Sequence, residues 1–238
     1  MHKVHDNLTE PMEQRAWVRL PSGQRLDLLN PAPACWDDAD LALGLARTYR
    51  WGGHSAWSLP LSVAQHSLAV MHLRRQQSHS PRAPLDDLRE LLHDAEEGLL
   101  GFDCISVLKP FLGESFSALS TRLQHAVTLR YGLLAWSDDE FRLHKRADRI
   151  AAASEAVHVA GWTGAEVQHI LMIPELPLET DPLVAHYNCT PWEPWPPTLA
   201  CERFLAELEA LQAASMAFTG QCAEADNGVL TSAKMHSG

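Results

Sequence analysis

The sequence predicts an all-α helical bundle with a small N-terminal β-hairpin, and three observations carry that reading. Apolar residues recur at three- and four-residue spacing through most of the chain, the period of a helix with one buried face. Only "AWVRLPSGQRLDLL" reads as two short strands, flanking a Pro-Ser-Gly turn. The helical stretches are bounded by capping residues and by Gly- or Pro-rich breaks rather than by further strand signals.

Residues 1–15 are expected to form an N-terminal extension, 16–212 the helical domain, and 213–238 a flexible tail of small residues. The hairpin should pair residues 17–20 with 25–29. The first helix starts near Asp37 or Asp38, whose carboxylates suit an N-terminus, and "GGHSAWSLP" breaks it. A second helix is expected over 62–77, a third over 85–100, and a fourth over 114–131 after the irregular "FDCISVLKPFLGE". The fifth carries the clearest signals, with Ser137 and Glu140 as a capping box and Gly161 as the stop. The Pro- and Trp-rich "PELPLETDPLVAHYNCTPWEPWPPT" should run extended over the surface before a last helix at 199–213. No internal repeat is present.

A chain of 238 residues is long enough to bury a sizeable core. Its formal charge of −11 disfavours a protein that tracks a nucleic-acid backbone, yet local Arg and Lys are able to hold a small phosphorylated ligand. The N-terminal stretch lacks the apolar run of a signal peptide, and nothing approaches the ~18 apolar residues of a membrane span. Five cysteines, odd in number and without a CxxC, argue against a disulfide framework or a Cys-rich zinc site. The expectation is a reduced, cytoplasmic enzyme or binding protein with no membrane association and no stable nucleic-acid binding. A homo-oligomer is left open.

Within "RELLHDAEEGLLGF", helical spacing places Glu90, His93, Asp94 and Glu97 on one side, opposite Leu91, Leu92, Ala95 and Leu99. Taken alone this reads as a solvated face, and the chain supplies a control in a second His-Asp pair, His5 and Asp6. His66 shares its face with Val63, Val70 and Leu73 and should point inward, where a histidine is usually a core residue bonded to backbone. Asp148 shares its face with Phe141, Ala152 and Val159, and a carboxylate removed from water needs a cation or strong donors. Arg142, Lys145, Arg146 and Arg149 project mostly elsewhere on that helix. Structural explanations account for these groups one at a time. A divalent-ion site built from His66, His93, Asp94 and Asp148 accounts for all four.

That arrangement resembles the HD-domain metal-dependent phosphohydrolases. "LSVAQHSLAVMHL" is similar to the family's first-histidine helix, "LLHDAEEGLLG" to its His-Asp helix, and "KRADRIAAASEA" to its final-aspartate helix. "RTYRWGGHS" resembles the arginine-bearing turn before the first ligand. The resemblance covers roughly residues 17–211 and is closest to the subgroup of bacterial 5′-deoxynucleotidases and phage-type deoxynucleoside triphosphohydrolases. It implies an HD-domain bundle with His66, His93, Asp94 and Asp148 as metal ligands and Glu97 as the catalytic carboxylate. Arg50 matches a phosphate-contacting arginine and Trp51 a residue near the nucleoside, with His54 a further substrate-side candidate. Where the family continues with two prolines, this chain reads "GFDCISVLK", with Phe102 inserted; Asp103 and Lys109 stand in for the family's sugar-contacting Asp and its Lys.

The implied cofactor is one divalent transition-metal ion (Mn, Co, Fe or Zn), with Mg entering on substrate phosphates. The implied activity is hydrolysis of a nucleotide phosphoester, foremost removal of phosphate from deoxynucleoside monophosphates. Triphosphate release from a nucleoside triphosphate is the alternative, for which Lys109, Lys145 and Arg149 offer added positive charge. A non-catalytic nucleotide-binding module is the third reading, disfavoured by Glu97, since a pure binder has little need of a proton-transferring carboxylate. His144 and Glu155, one turn either side of Asp148, are candidates for groups that orient the ligands.

Overall fold

A computed structural model describes residues 16–105 and 107–234. The His5-Asp6 pair and the expected extension at 1–15 lie outside the described residues. The chain is mainly helical, with a single two-stranded sheet among the described residues. Strands β1 (Trp17–Arg19) and β2 (Arg25–Asp27) pair antiparallel, Val18 opposite Leu26, as the sequence predicts. Nine α-helices follow among the described residues: α1 (Asp38–Arg47), α2 (Val63–Gln77), α3 (Pro84–Leu91), α4 (Ala95–Leu100), α5 (Lys109–Tyr131), α6 (Asp138–His158), α7 (Gly164–His169), α8 (Val184–Tyr187) and α9 (Pro197–Lys234).

Local chemistry explains most boundaries. Asp37 caps α1 in a capping box with Asp40, and Ser62 caps α2 by accepting from the Gln65 amide at 3.2 Å. Ser137 likewise accepts from the Glu140 amide, but Glu140 does not reach back to complete a box. Its carboxylate faces Arg74 at 2.9 Å and Arg82 at 3.2 Å instead. At the head of α5, Gly113 breaks the helical path with φ +76° and ψ −177°, leaving one isolated turn before a continuous helix from Glu114. The expected extended segment contains the single turn α8, and α7, with its Thr163–Glu166 capping box, adds a helix to those expected from the sequence. The last helix continues to Lys234, well past residue 213.

The core forms where α1 packs on α2, α4 and α9, with α3 also resting on α2 and α9. Trp36, Leu41, Leu45, Leu68, Met71, Leu92 and Phe204 are fully buried there, each side chain contributing about 1.5–3 kcal/mol by leaving water. α2 is buried on every side from Val63 to Arg74, between α3 and α6. α1 and α4 approach so closely that a Cβ on Gly98 would stand 2.6 Å from Leu45 Cγ and 2.8 Å from Leu45 N. These packings bring one end of α2, the α3–α4 junction and the middle of α6 together.

Candidate metal centre

The expected helix over 85–100 is two helices, α3 and α4, interrupted by a tight turn at residues 92–94 that carries His93 and Asp94. No proline or glycine causes this break. The His93 side chain does, because its Nδ1 lies 2.8 Å from the Glu90 carbonyl, the oxygen an uninterrupted helix would offer to the Asp94 amide. The backbone closes by three-residue steps instead, with Ala95 N–H on Leu92 O and Glu97 N–H on Asp94 O. Glu90 therefore does not share a solvated face with His93 and Asp94. It is wholly buried, with Arg74 and Arg82 on one carboxylate oxygen and His144 on the other.

The four expected ligands converge. His66 Nε2 lies 3.4 Å from Asp148 Oδ1 and 3.7 Å from Asp94 Oδ2, and His93 Nε2 lies 3.1 Å from Asp94 Oδ2. The His66 and His93 rings are 5.3 Å apart. Both Nε2 atoms are buried without a hydrogen-bond partner, a costly state for a polar atom and the test of fit for a cation. The opposite nitrogens are committed: His66 Nδ1 faces Glu155 Oε1 at 2.6 Å, and His93 Nδ1 faces the Glu90 carbonyl. An Nδ1 beside an oxygen acceptor must carry a proton, so in the neutral ring it is Nε2 that holds the lone pair a metal takes. Two neutral imidazoles and two carboxylates suit a first-row divalent transition ion.

Electrostatics agree with that fit. Burial and Arg50 oppose a charge on His66, yet Glu155 and Asp148 outweigh them and push its pKa up to about 9, so positive charge is favoured here. Against the cost of burial, His93 and His66 hold the Asp94 carboxyl far below its ordinary range, and His66 and His93 do the same for Asp148. Glu97 behaves oppositely: burial, then Asp94 and Asp103, push it up to about 10. Its Oε2 is buried without a partner, while Lys109 Nζ stands 3.7 Å from Oε1.

The arginine turn closes one side. Arg50 donates from Nε to Glu155 Oε2 at 2.8 Å and places Nη1 3.8 Å from Asp94 Oδ2. Trp51 donates to the same Glu155 oxygen at 3.4 Å from a left-handed backbone, φ +58°, followed by Gly52 and Gly53, also left-handed. An aromatic residue in that conformation costs roughly 1–2 kcal/mol, strain of the kind that collects at functional sites. Glu155 is thus the hub that joins Arg50, Trp51 and His66. Asp103 is near enough to act electrostatically on Arg50 and Glu97. His54 is exposed, and no hydrogen bond or ring contact joins its side chain to the others.

Two groups depart from the wheel on α6. Lys145 does not project away, since its Nζ lies 3.1 Å from Asp148 Oδ2, and Phe141 is largely exposed. Of the two expected orienting groups, Glu155 pairs with one of the expected ligands, His66, whereas His144 hydrogen-bonds none of the four. Two residues that sequence reasoning does not single out also belong to the site. Glu90 supports His93 through its carbonyl and His144 through its carboxylate. Glu96 is buried with one oxygen unpartnered, and its donor atom lies within 4.8 Å of those of Asp94 and Glu97.

No protein-family model matches the chain. A protein of Rhodobacter capsulatus, described as an uncharacterized protein, is 41% identical over 163 residues, spanning 68% of this chain and 82% of that protein. The chain belongs to the same family as that protein. Among the described residues, no helix is long and apolar enough to cross a membrane.

Proposed function

We propose that the protein is a metal-dependent phosphohydrolase of the HD-domain type that removes phosphate from deoxynucleoside monophosphates. The observation that carries this reading is the pair of orphaned Nε2 atoms, on His66 and His93, facing Asp94 and Asp148 with the buried Glu97 carboxyl alongside. His66, His93, Asp94 and Asp148 would hold a divalent ion, which when bound would supply Lewis-acid stabilisation of the developing phosphate charge and would activate water. Glu155 and the Glu90 carbonyl keep both imidazoles in the ligating tautomer. Arg50 offers a planar fork to phosphate, and Lys109 adds charge beside Glu97. Glu97 Oε2 is the atom that exchanges a proton with the attacking water or the leaving oxygen.

The test is a panel of deoxynucleoside mono- and triphosphates incubated with the Mn(II)- or Co(II)-loaded protein, with identification of the phosphate released. Orthophosphate from monophosphates is the expected product. Triphosphate from triphosphates would support the second reading, for which Lys145 beside Asp148 is the favouring observation. Arg149, the third cation of that reading, is paired with Glu175 at 2.7 Å. Absence of turnover across the panel would favour a nucleotide-binding module and overturn the proposal.

A further inference from the structure

His144 lies outside the four-ligand set, yet its setting repeats that of the ligand His66. Its Nδ1 faces a buried carboxylate, Glu90 Oε2, at 2.8 Å, as His66 Nδ1 faces Glu155 Oε1 at 2.6 Å. Glu90 is itself held by Arg74 Nε at 2.9 Å and Arg82 Nη2 at 3.2 Å, so this acceptor is fixed. The His144 ring is stacked on Trp136 at 4.6 Å and met by His93 at 4.9 Å. Among the described residues, nothing is hydrogen-bonded to its Nε2. With Nδ1 turned to the Glu90 carboxylate, the neutral ring carries its proton there and its lone pair on Nε2, as at His66.

Of three groups of donor atoms among the described residues, each with its atoms within 4.8 Å of one another, two contain histidine and overlap: His66, His93 and Asp94, and His93, His144 and Asp148. His93 has a single free nitrogen, because its Nδ1 serves the Glu90 carbonyl, so it is able to serve only one ion. We propose that His144 and Asp148 form a second divalent-cation subsite beside the first, with Asp148 shared between them. The proposal rests on reading His66, His93, Asp94 and Asp148 as a metal centre. An imidazole with a carboxylate selects a first-row transition ion over Mg or Ca. With two protein donors, this subsite is the weaker one, and phosphate and water complete it. Lys145, at 3.1 Å from Asp148 Oδ2, competes for the shared carboxylate through a partly exposed ion pair that a metal is able to displace.

Equilibrium dialysis of the full chain with Mn(II), read by elemental analysis with and without inorganic phosphate, tests the subsite. The expected result is two Mn(II) per chain in phosphate, the second at least tenfold weaker than the first. His144→Asn keeps an amide donor toward Glu90 but offers nothing at the Nε2 position. It should bind one Mn(II), with the first affinity unchanged within twofold. Lys145→Met should tighten the second equivalent several-fold. Saturation of the unaltered protein at one Mn(II) in phosphate overturns the subsite alone, as does a His144→Asn protein that still takes two. Failure of the unaltered protein to bind any Mn(II) overturns the metal centre as well. Because the stoichiometry of the unaltered protein decides by itself, a variant that fails to fold does not shield the proposal.

Discussion

Replacing Glu155 with Gln removes one charge and almost no volume, so its effect comes from hydrogen bonding and electrostatics alone. Three groups donate to this carboxylate: Arg50 Nε at 2.8 Å and Trp51 Nε1 at 3.4 Å to Oε2, and His66 Nδ1 at 2.6 Å to Oε1. A glutamine has one acceptor oxygen, so its amide must face a donor on the other side. Arg50 is permanently charged and keeps the oxygen. The amide then faces His66 Nδ1, which is satisfied only if the ring gives up that proton and carries it on Nε2. That tautomer is unable to ligate. Loss of a carboxylate behind a ligating histidine weakens metal affinity by about 10- to 100-fold, or roughly 1.4–2.7 kcal/mol. Breaking the mostly buried Arg50 pair should also cost the metal-free protein about 3 kcal/mol, since of the remaining carboxylates only Asp94, at 3.8 Å, is within ion-pair distance, and Asp103 and Asp148 act on the guanidinium from further off. Competition against a chromophoric chelator measures the first quantity and urea unfolding the second. A folded Glu155→Gln protein that binds Mn(II) within twofold of the unaltered chain would refute the reasoning.

Gly98→Ala should destabilise the protein by roughly 1–3 kcal/mol, because the new Cβ meets the backbone and side chain of Leu45. Helix propensity alone predicts a gain of about 1 kcal/mol, so the sign of the change in urea midpoint distinguishes the two. His72 gives a pH test away from the candidate metal centre: burial, with His186 and Arg75, lowers its pKa to about 3. Below about pH 6.5 the unfolded chain takes up a proton that the folded chain refuses, so stability falls with pH toward 3, by about 1.4 kcal/mol per unit. His72→Phe, which preserves the stacking on His186, should therefore gain on the unaltered protein as pH drops from 6.5 to 5.5. A pH-independent difference between the two proteins would contradict that linkage.

Much of this site is legible in the sequence because its ligand types stand awkwardly in their helices. Asp148 and His66 point to a shared partner, and helix periodicity with caps locates α2 and α6. The inward direction of His66 is a weaker signal than its helix face suggests, since α2 is buried all round and any of its residues would face protein. The helix wheel fails at Glu90, because the imidazole of His93 claims a helix carbonyl and breaks the phase between α3 and α4. No local propensity encodes that event. The pairing of Glu90 with His144 spans 54 residues, and that of Arg50 with Glu155 spans 105, so both depend on packing that periodicity does not report. Lys145 reaches Asp148 for a related reason: long side chains bend to a charge that the wheel ignores.

The most direct measurement compares metal content and phosphate release in the unaltered protein, Asp94→Ala and Glu97→Gln, each exposed to Mn(II) and deoxynucleoside monophosphates. If the four side chains hold the ion and Glu97 moves the proton, Asp94→Ala loses both metal and turnover. Glu97→Gln should keep its metal and release orthophosphate about 10²- to 10⁴-fold more slowly. Unchanged turnover by Glu97→Gln, or full metal retention by Asp94→Ala, would contradict those roles.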